Sequence, residues 1–202
     1  MRNFIQTDDK ETIQIIKALN HYLMNENFDP AKVKILSADC PFYPAYDYLD
    51  IELTQNAENL HLFALYQKEH NEIHVLDGSN AVIDQLNDQK QLCLNADIIP
   101  QYLKFYFQHV RGDKGRFTVI ESADDFNWLS QPNLQLRKTI QKMISPLILI
   151  QSDGDKSDFR ASIAYKNALF DCIIRVFHNG KISFTQQELV IEDLDLLDYV
   201  LE

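Results

Sequence analysis

Two histidines four residues apart, His70 and His74, bracket Glu72 in the run HNEIH. A zinc protease needs HExxH on a helix, where both imidazoles lie one turn apart and the glutamate serves as base. Here the glutamate is displaced by one position and the run falls in a predicted hairpin. On a strand the two rings share a face, so the chemistry this spacing permits is a surface metal contact. The plainer reading is two polar residues of a wet hairpin. The run SDGDKSD at 152–158 invites calcium, with Asp153 and Asp155 at the first and third positions of an EF-hand loop. Ser157 then stands at the fifth position, Asp158 where glycine is needed, and Ala164 where a bidentate glutamate is needed. A solvated turn is expected instead, and no metal or cofactor.

Nucleophilic chemistry has no better support. The chain lacks a GxSxG elbow, and its three cysteines, Cys40, Cys93 and Cys172, form no CxxC. Cys40 has Asp39 and Asp47 near it in sequence, the wrong sign to lower a thiol pKa. Carboxylates are plentiful, but a general acid–base pair must converge in a pocket, which spacing does not reveal. Only 5 glycines occur in 202 residues, far below ordinary usage, which argues against a glycine-rich phosphate cradle.

Two clusters remain. RGDKGR at 111–116 offers Arg111, Lys114 and Arg116 as an anion contact. Its GxxG spacing occurs in the nucleotide-clamping loop of KH domains, but that loop joins two helices. This one is expected to run from a helix into a strand, where cations answer the helix C-terminal dipole. DCPFYPAYDY at 39–48 sets aromatics between prolines. Phe42, Tyr43 and Tyr46 are candidates for a binding surface, since such rings offer a large area at small entropy cost; the alternative is that they plug a core from its rim.

Charge narrows the partners. Lys and Arg number 19 against 30 Asp and Glu, a net charge of −11. A polyanion is repelled by such a chain, so general nucleic-acid binding is not expected and a protein partner with a basic surface is. Residues 1–100 carry 16 acids against 7 bases, and residues 188–202 carry 6 acids and no base. The stretch between them is mildly basic. Glu192, Asp193, Asp195 and Asp198 in the tail are therefore the acidic contact candidates. No window approaches eighteen apolar residues, and Asp8, Asp9 and Glu11 interrupt the N-terminus. Neither a membrane span nor a signal peptide is expected, and free thiols then point to the cytoplasm.

The elements that must position these residues read as an α+β fold: antiparallel β-meanders packed with three to four helices. A helix over 9–25 gathers Ile15, Ile16, Leu19, Tyr22 and Leu23 on one face. A strand near 32–36, the alternating YLDIELT at 48–54, and strands at 59–67 and 72–76 form the first meander. Ser79 is expected to cap a short helix over 80–87. The helix near 97–110 is apolar almost all round, with one polar stripe of Gln101, Lys104, Gln108 and Arg111, so it should be central and largely buried. Pro100, tolerated only in the first turn, puts its start at 95–97, and Gly112 marks its stop. A strand at 116–122 follows. A helix over 133–144 should turn Leu136, Ile140, Met143 and Ile144 inward, and PLILI at 146–150 should be a buried strand. In the last meander a two-residue turn at Asn179–Gly180 would pair 176 with 183 and 174 with 185. That puts Phe170, Cys172, Ile174 and Val176 on one face, and Ile173, Phe177, Ile182 and Phe184 on the other. One domain over 1–202 is expected, with two intimately packed halves, about 1–95 and 96–202, as the second reading.

The expected function is that of a non-catalytic cytoplasmic protein-binding or adaptor protein. Acidic α+β proteins of this size include secretion chaperones and immunity proteins, an analogy of fold class alone. The alternative is an enzyme or small-ligand-binding protein whose pocket is built from dispersed residues. A homo-oligomer is compatible with both.

Overall fold

Alternation at 48–54 makes a strand because successive side chains leave opposite faces, and Leu49, Ile51 and Leu53 can then be buried together. In the computed structural model, which describes residues 3–24, 27–55, 58–112 and 115–197, they are. The chain divides into two compact units, Met1–Cys93 and Leu94–Glu202, and the fold is α+β with antiparallel sheets. No helix among the described residues is long and apolar enough to cross a membrane.

The first unit contains β1 (Ile5–Gln6), α1 (Asp9–Tyr22), β2 (Val33–Asp39), β3 (Asp47–Gln55), β4 (Glu58–Gln67), β5 (Glu72–Val75) and α2 (Ala81–Asp88). Its five strands form one antiparallel sheet in sequence order, with Ile51 opposite Ile35 on one side and Leu62 on the other. Helix α1 lays Ile15, Ile16, Ala18 and Leu19 on that face. Asp8 caps it, its carboxylate accepting the Glu11 amide at 2.8 Å. The helix stops three residues short of the predicted end, and Tyr22 is exposed rather than inward. Helix α2 buries Ile83 and Leu86. Its N-cap is Asn80 rather than Ser79, although the Ser79 hydroxyl accepts the Ala81 amide at 3.3 Å.

The second unit contains α3 (Ile99–His109), β6 (Arg111–Gly112), β7 (Gly115–Ile120), α4 (Leu134–Met143), β8 (Ile148–Asp153), β9 (Lys156–Tyr165), β10 (Ala168–Phe177) and β11 (Ile182–Ile191). The sheet runs β11-β10-β9-β7-β6, and β8 pairs with the first half of β9 on the edge whose second half pairs with β7. Helix α3 follows the predicted stripe: Gln101, Lys104 and Gln108 are exposed, while Tyr102, Leu103, Phe105 and Phe107 are buried. It begins later than predicted because the Asn95 carboxamide oxygen takes the Asp97 and Ile98 amides at 3.0 Å, holding a turn ahead of the helix. It ends at His109, before Gly112, since Val110 is already extended and leads into β6.

Three expectations are corrected. The β10–β11 loop has three residues, 178–180. The Phe177 amide donates to the Lys181 carbonyl at 2.9 Å, and only Gly180, at φ +78°, is left-handed. This is the type I turn with a glycine bulge, the other common short hairpin. Val176 therefore pairs with Ile182 and Ile174 with Phe184. A one-residue slip turns side chains over, so Ile182 and Phe184 share the face of Ile174 and Val176. An irregularity between Ile173 and Ile174 then sets Cys172 opposite Gln187. Second, only Ile140 of α4 is buried, against Ile120, Phe126, Leu169 and Leu194; Leu136 and Met143 are exposed. Third, the predicted buried strand at 146–150 yields β8, whose six residues are all exposed.

Candidate functional site

The aromatic candidates lie inside the first unit. Phe42, Tyr43 and Tyr46 are 0%, 0% and 4% exposed. The Tyr43 hydroxyl donates to Asn87 Oδ1 at 2.8 Å, tying the proline-flanked loop to α2, and the Tyr46 ring packs 5.8 Å from that of His74. Burial, with Glu72 adding to it, raises the Tyr46 phenol pKa. These rings offer no open face, so they plug the core. The histidine pair also separates: His70 sits in the exposed β4–β5 turn and His74 is buried on β5. His74 Nε2 lies 3.1 Å from a Glu72 oxygen, but at an angle that makes no hydrogen bond. Among the described residues no three His, Cys, Asp or Glu side chains could hold a metal ion together.

The charged candidates lie in the second unit. Arg111 and Arg116 stand opposite each other in the β6–β7 pair, and Lys114 lies outside the described residues. Lys104 pairs with Glu121, and Arg116 lines a groove together with Glu121 and Asp125. In the tail, Glu192, Asp193 and Asp195 are exposed. Leu194 is buried in the core cluster and Leu196 bridges to Trp128, which pins the three acids on the outside of a fixed segment. Asn167 Nδ2 donates to Asp193 at 3.3 Å and the Ser130 hydroxyl to Asp195. Asp198 lies outside the described residues.

Two features had no signature in the sequence. One is the β8 edge. Ile148, Leu149 and Ile150 are 48%, 43% and 49% exposed, and among the described residues β8 pairs with β9 alone. Ile148 stands opposite Arg160 and Leu149 opposite Phe159, so they project to opposite faces. Behind the edge, Arg175 donates to both Asp158 oxygens at 2.7 and 2.8 Å, and Gln151 Nε2 of β8 adds a bond at 3.0 Å. The Arg175 bonds hold the Asp158 carboxyl below its usual range. The apolar run at 146–150 reads the same whether a strand is covered or bare, which is why the sequence misassigned it.

The other is a cleft of about 390 Å³ on the opposite face of this sheet from α4. Its lining comes from five strands, among them Phe117 of β7, Tyr165 of β9, Phe170 and Cys172 of β10, and Phe184 and Gln187 of β11. No short spacing could have announced it. Helix α3 bounds the same face, its Tyr102 hydroxyl donating to the Gly180 carbonyl at 2.9 Å and its Phe107 ring stacking on Phe184 at 5.7 Å. The chain matches no family model, no curated protein and no solved structure.

Proposed function

We propose that the protein is a non-catalytic cytoplasmic binding protein that accepts an extended apolar segment of a basic protein partner along the free edge of β8. The observation that carries this reading is the exposure of Ile148, Leu149 and Ile150 on a strand that, among the described residues, is paired on one side only. A bare edge presents unpaired backbone N–H and C=O groups, and an added strand satisfies them. Pro146 and the irregularity between Leu149 and Gln151 keep that added strand short. Affinity then comes from a few backbone bonds and from apolar side chains packed on both faces. The partner's charge follows from Asp153 and Asp155, exposed at the far end of the edge, and from the net −11 that draws a basic chain in. The cytoplasm is supported by three free cysteines.

The test is selection of twelve-residue displayed peptides on the purified protein. Selected peptides should alternate apolar residues and carry Lys or Arg at one end. They should lose binding to the Leu149→Lys protein and weaken with added salt. Peptides that bind Leu149→Lys equally well, or failure to select any, would overturn the proposal. So would a dimer, measured by light scattering, that Leu149→Lys dissolves, since it would give the edge to a second copy of the chain.

A further inference from the structure

The cleft opposite α4 is separate from the β8 edge, and its walls have a chemistry of their own. Phe117 and Tyr165 stack at 4.4 Å with 14° between their planes. Phe184 stands 5.7 Å from Phe117, held from behind by the buried Phe107. The rings of Phe117, Tyr165, Phe170 and Phe184 are each only half-buried, so flat apolar surface stays open in a fixed arrangement. The floor is Ile163 and Cys172, both almost wholly buried. At one rim stands Gly112, where a Cβ would come within 2.7 Å of the Phe117 ring. Glycine there lets the β6 backbone lie against the aromatic wall. At the other rim Gln187, opposite Cys172 in register, is exposed.

We propose that this cleft binds a small, planar, uncharged molecule, aromatic or similarly flat, with one hydrogen-bonding group directed at Gln187. The volume of about 390 Å³ falls in the range of small-molecule pockets, roughly 300–1,000 Å³. Ring walls favour a flat occupant, which stacks in offset or edge-on contact with several of them at once. The described lining carries no formal charge. Its ionisable groups are Tyr165 and Cys172, and burial pushes the Cys172 thiol up to about 12, so it stays neutral. An ion entering the cleft would lose hydration and meet no counter-charge among the described lining residues. The Gln187 carboxamide supplies a donor and an acceptor, which, beside the Tyr165 hydroxyl, sets orientation among side chains that are otherwise mostly apolar.

The probe is 2-naphthol, a flat bicycle with one hydroxyl, and its charged counterpart is naphthalene-2-sulfonate. Each is titrated into isotope-labelled protein and followed by amide NMR shifts. Saturable shifts with 2-naphthol, at a Kd below about 1 mM, should centre on residues 112, 163, 172 and 187. The sulfonate should bind about ten-fold more weakly. Gln187→Ala should weaken 2-naphthol roughly five-fold through the lost hydrogen bond. Gln187→Trp, which sets an indole at the mouth, should abolish binding. Both variants alter an exposed side chain, and unchanged shifts elsewhere certify the fold. Leu149→Lys should bind 2-naphthol normally, which separates this site from the strand edge. Absence of saturable shifts, shifts centred elsewhere, equal binding of the sulfonate, or full binding by Gln187→Trp would each overturn the proposal.

Discussion

Ile140→Ala tests how α4 is held. Ile140 is the buried residue of that helix, packed with Ile120, Phe126, Leu169 and Leu194. The change deletes three carbons, worth about 2.4 kcal/mol at ~0.8 kcal/mol per buried methylene. A cavity term adds to this, because four neighbours from different segments cannot all collapse into the gap, and the total comes to about 3–4 kcal/mol. Leu136 on the same helix is 41% exposed, so Leu136→Ala should cost at most about 1 kcal/mol. Trp128 is the single tryptophan. It packs on the same cluster, donates its indole N–H to the Ala123 carbonyl at 3.0 Å and sits 5.0 Å from the Phe126 ring. Its fluorescence in a urea titration therefore reports this core. With a slope of about 2–3 kcal/mol per molar, Ile140→Ala should lower the midpoint by about 1–2 M and Leu136→Ala by less than ~0.5 M. Equal shifts for the two variants would refute the single-residue docking of α4.

Other perturbations give equally definite outcomes. Gly180→Val should cost about 1–2 kcal/mol, because the position is left-handed, whereas Asn179→Ala should cost much less; equal melting temperatures for the two would refute the three-residue loop. The folded-state pKa of Asp158 is lowered by its bonds from Arg175. Its stabilisation is therefore full above the unfolded carboxylate range near pH ~4 and is lost as pH falls through the folded value. Arg175→Met should reduce stability at neutral pH and flatten the acid limb of an unfolding-versus-pH curve; coincident limbs would refute it. At pH 8 iodoacetamide should label Cys93, which is exposed, and spare Cys40 and Cys172, both buried, the latter with its thiol pushed to about 12. All three should react once the protein is unfolded, and rapid labelling of Cys172 in the native state would contradict its burial.

Legibility in the sequence followed the range of the interaction responsible. The inward residues Ile15, Ile16 and Leu19 of α1 and the inward row Leu49, Ile51, Leu53 rest on neighbours two to four residues away and appear where they were expected, although α1 ends three residues early and leaves Tyr22 exposed. The stripe Gln101, Lys104, Gln108 was readable for the same reason, although a side-chain turn at Asn95 delayed the start of α3. The faces of β11 failed on a smaller matter. Asn179–Gly180 announced a hairpin, but a loop of two residues and a loop of three differ by one step, and one step exchanges the faces.

What the sequence determined by itself was the kind of most elements, though not the short strands β1 and β6, together with the α+β class and the acidic balance. These depend on local pattern and on sums over the chain. Tertiary structure alone decided which runs are covered as a whole. It buried Phe42, Tyr43 and Tyr46, whose run also carries acids, and left the wholly aliphatic Ile148, Leu149 and Ile150 exposed. It also assembled the cleft from residues as far apart as Gly112 and Gln187. The physical reason is that accessibility belongs to whatever covers a residue, and the covering segment is remote in sequence, so no spacing within the run can encode whether it arrives.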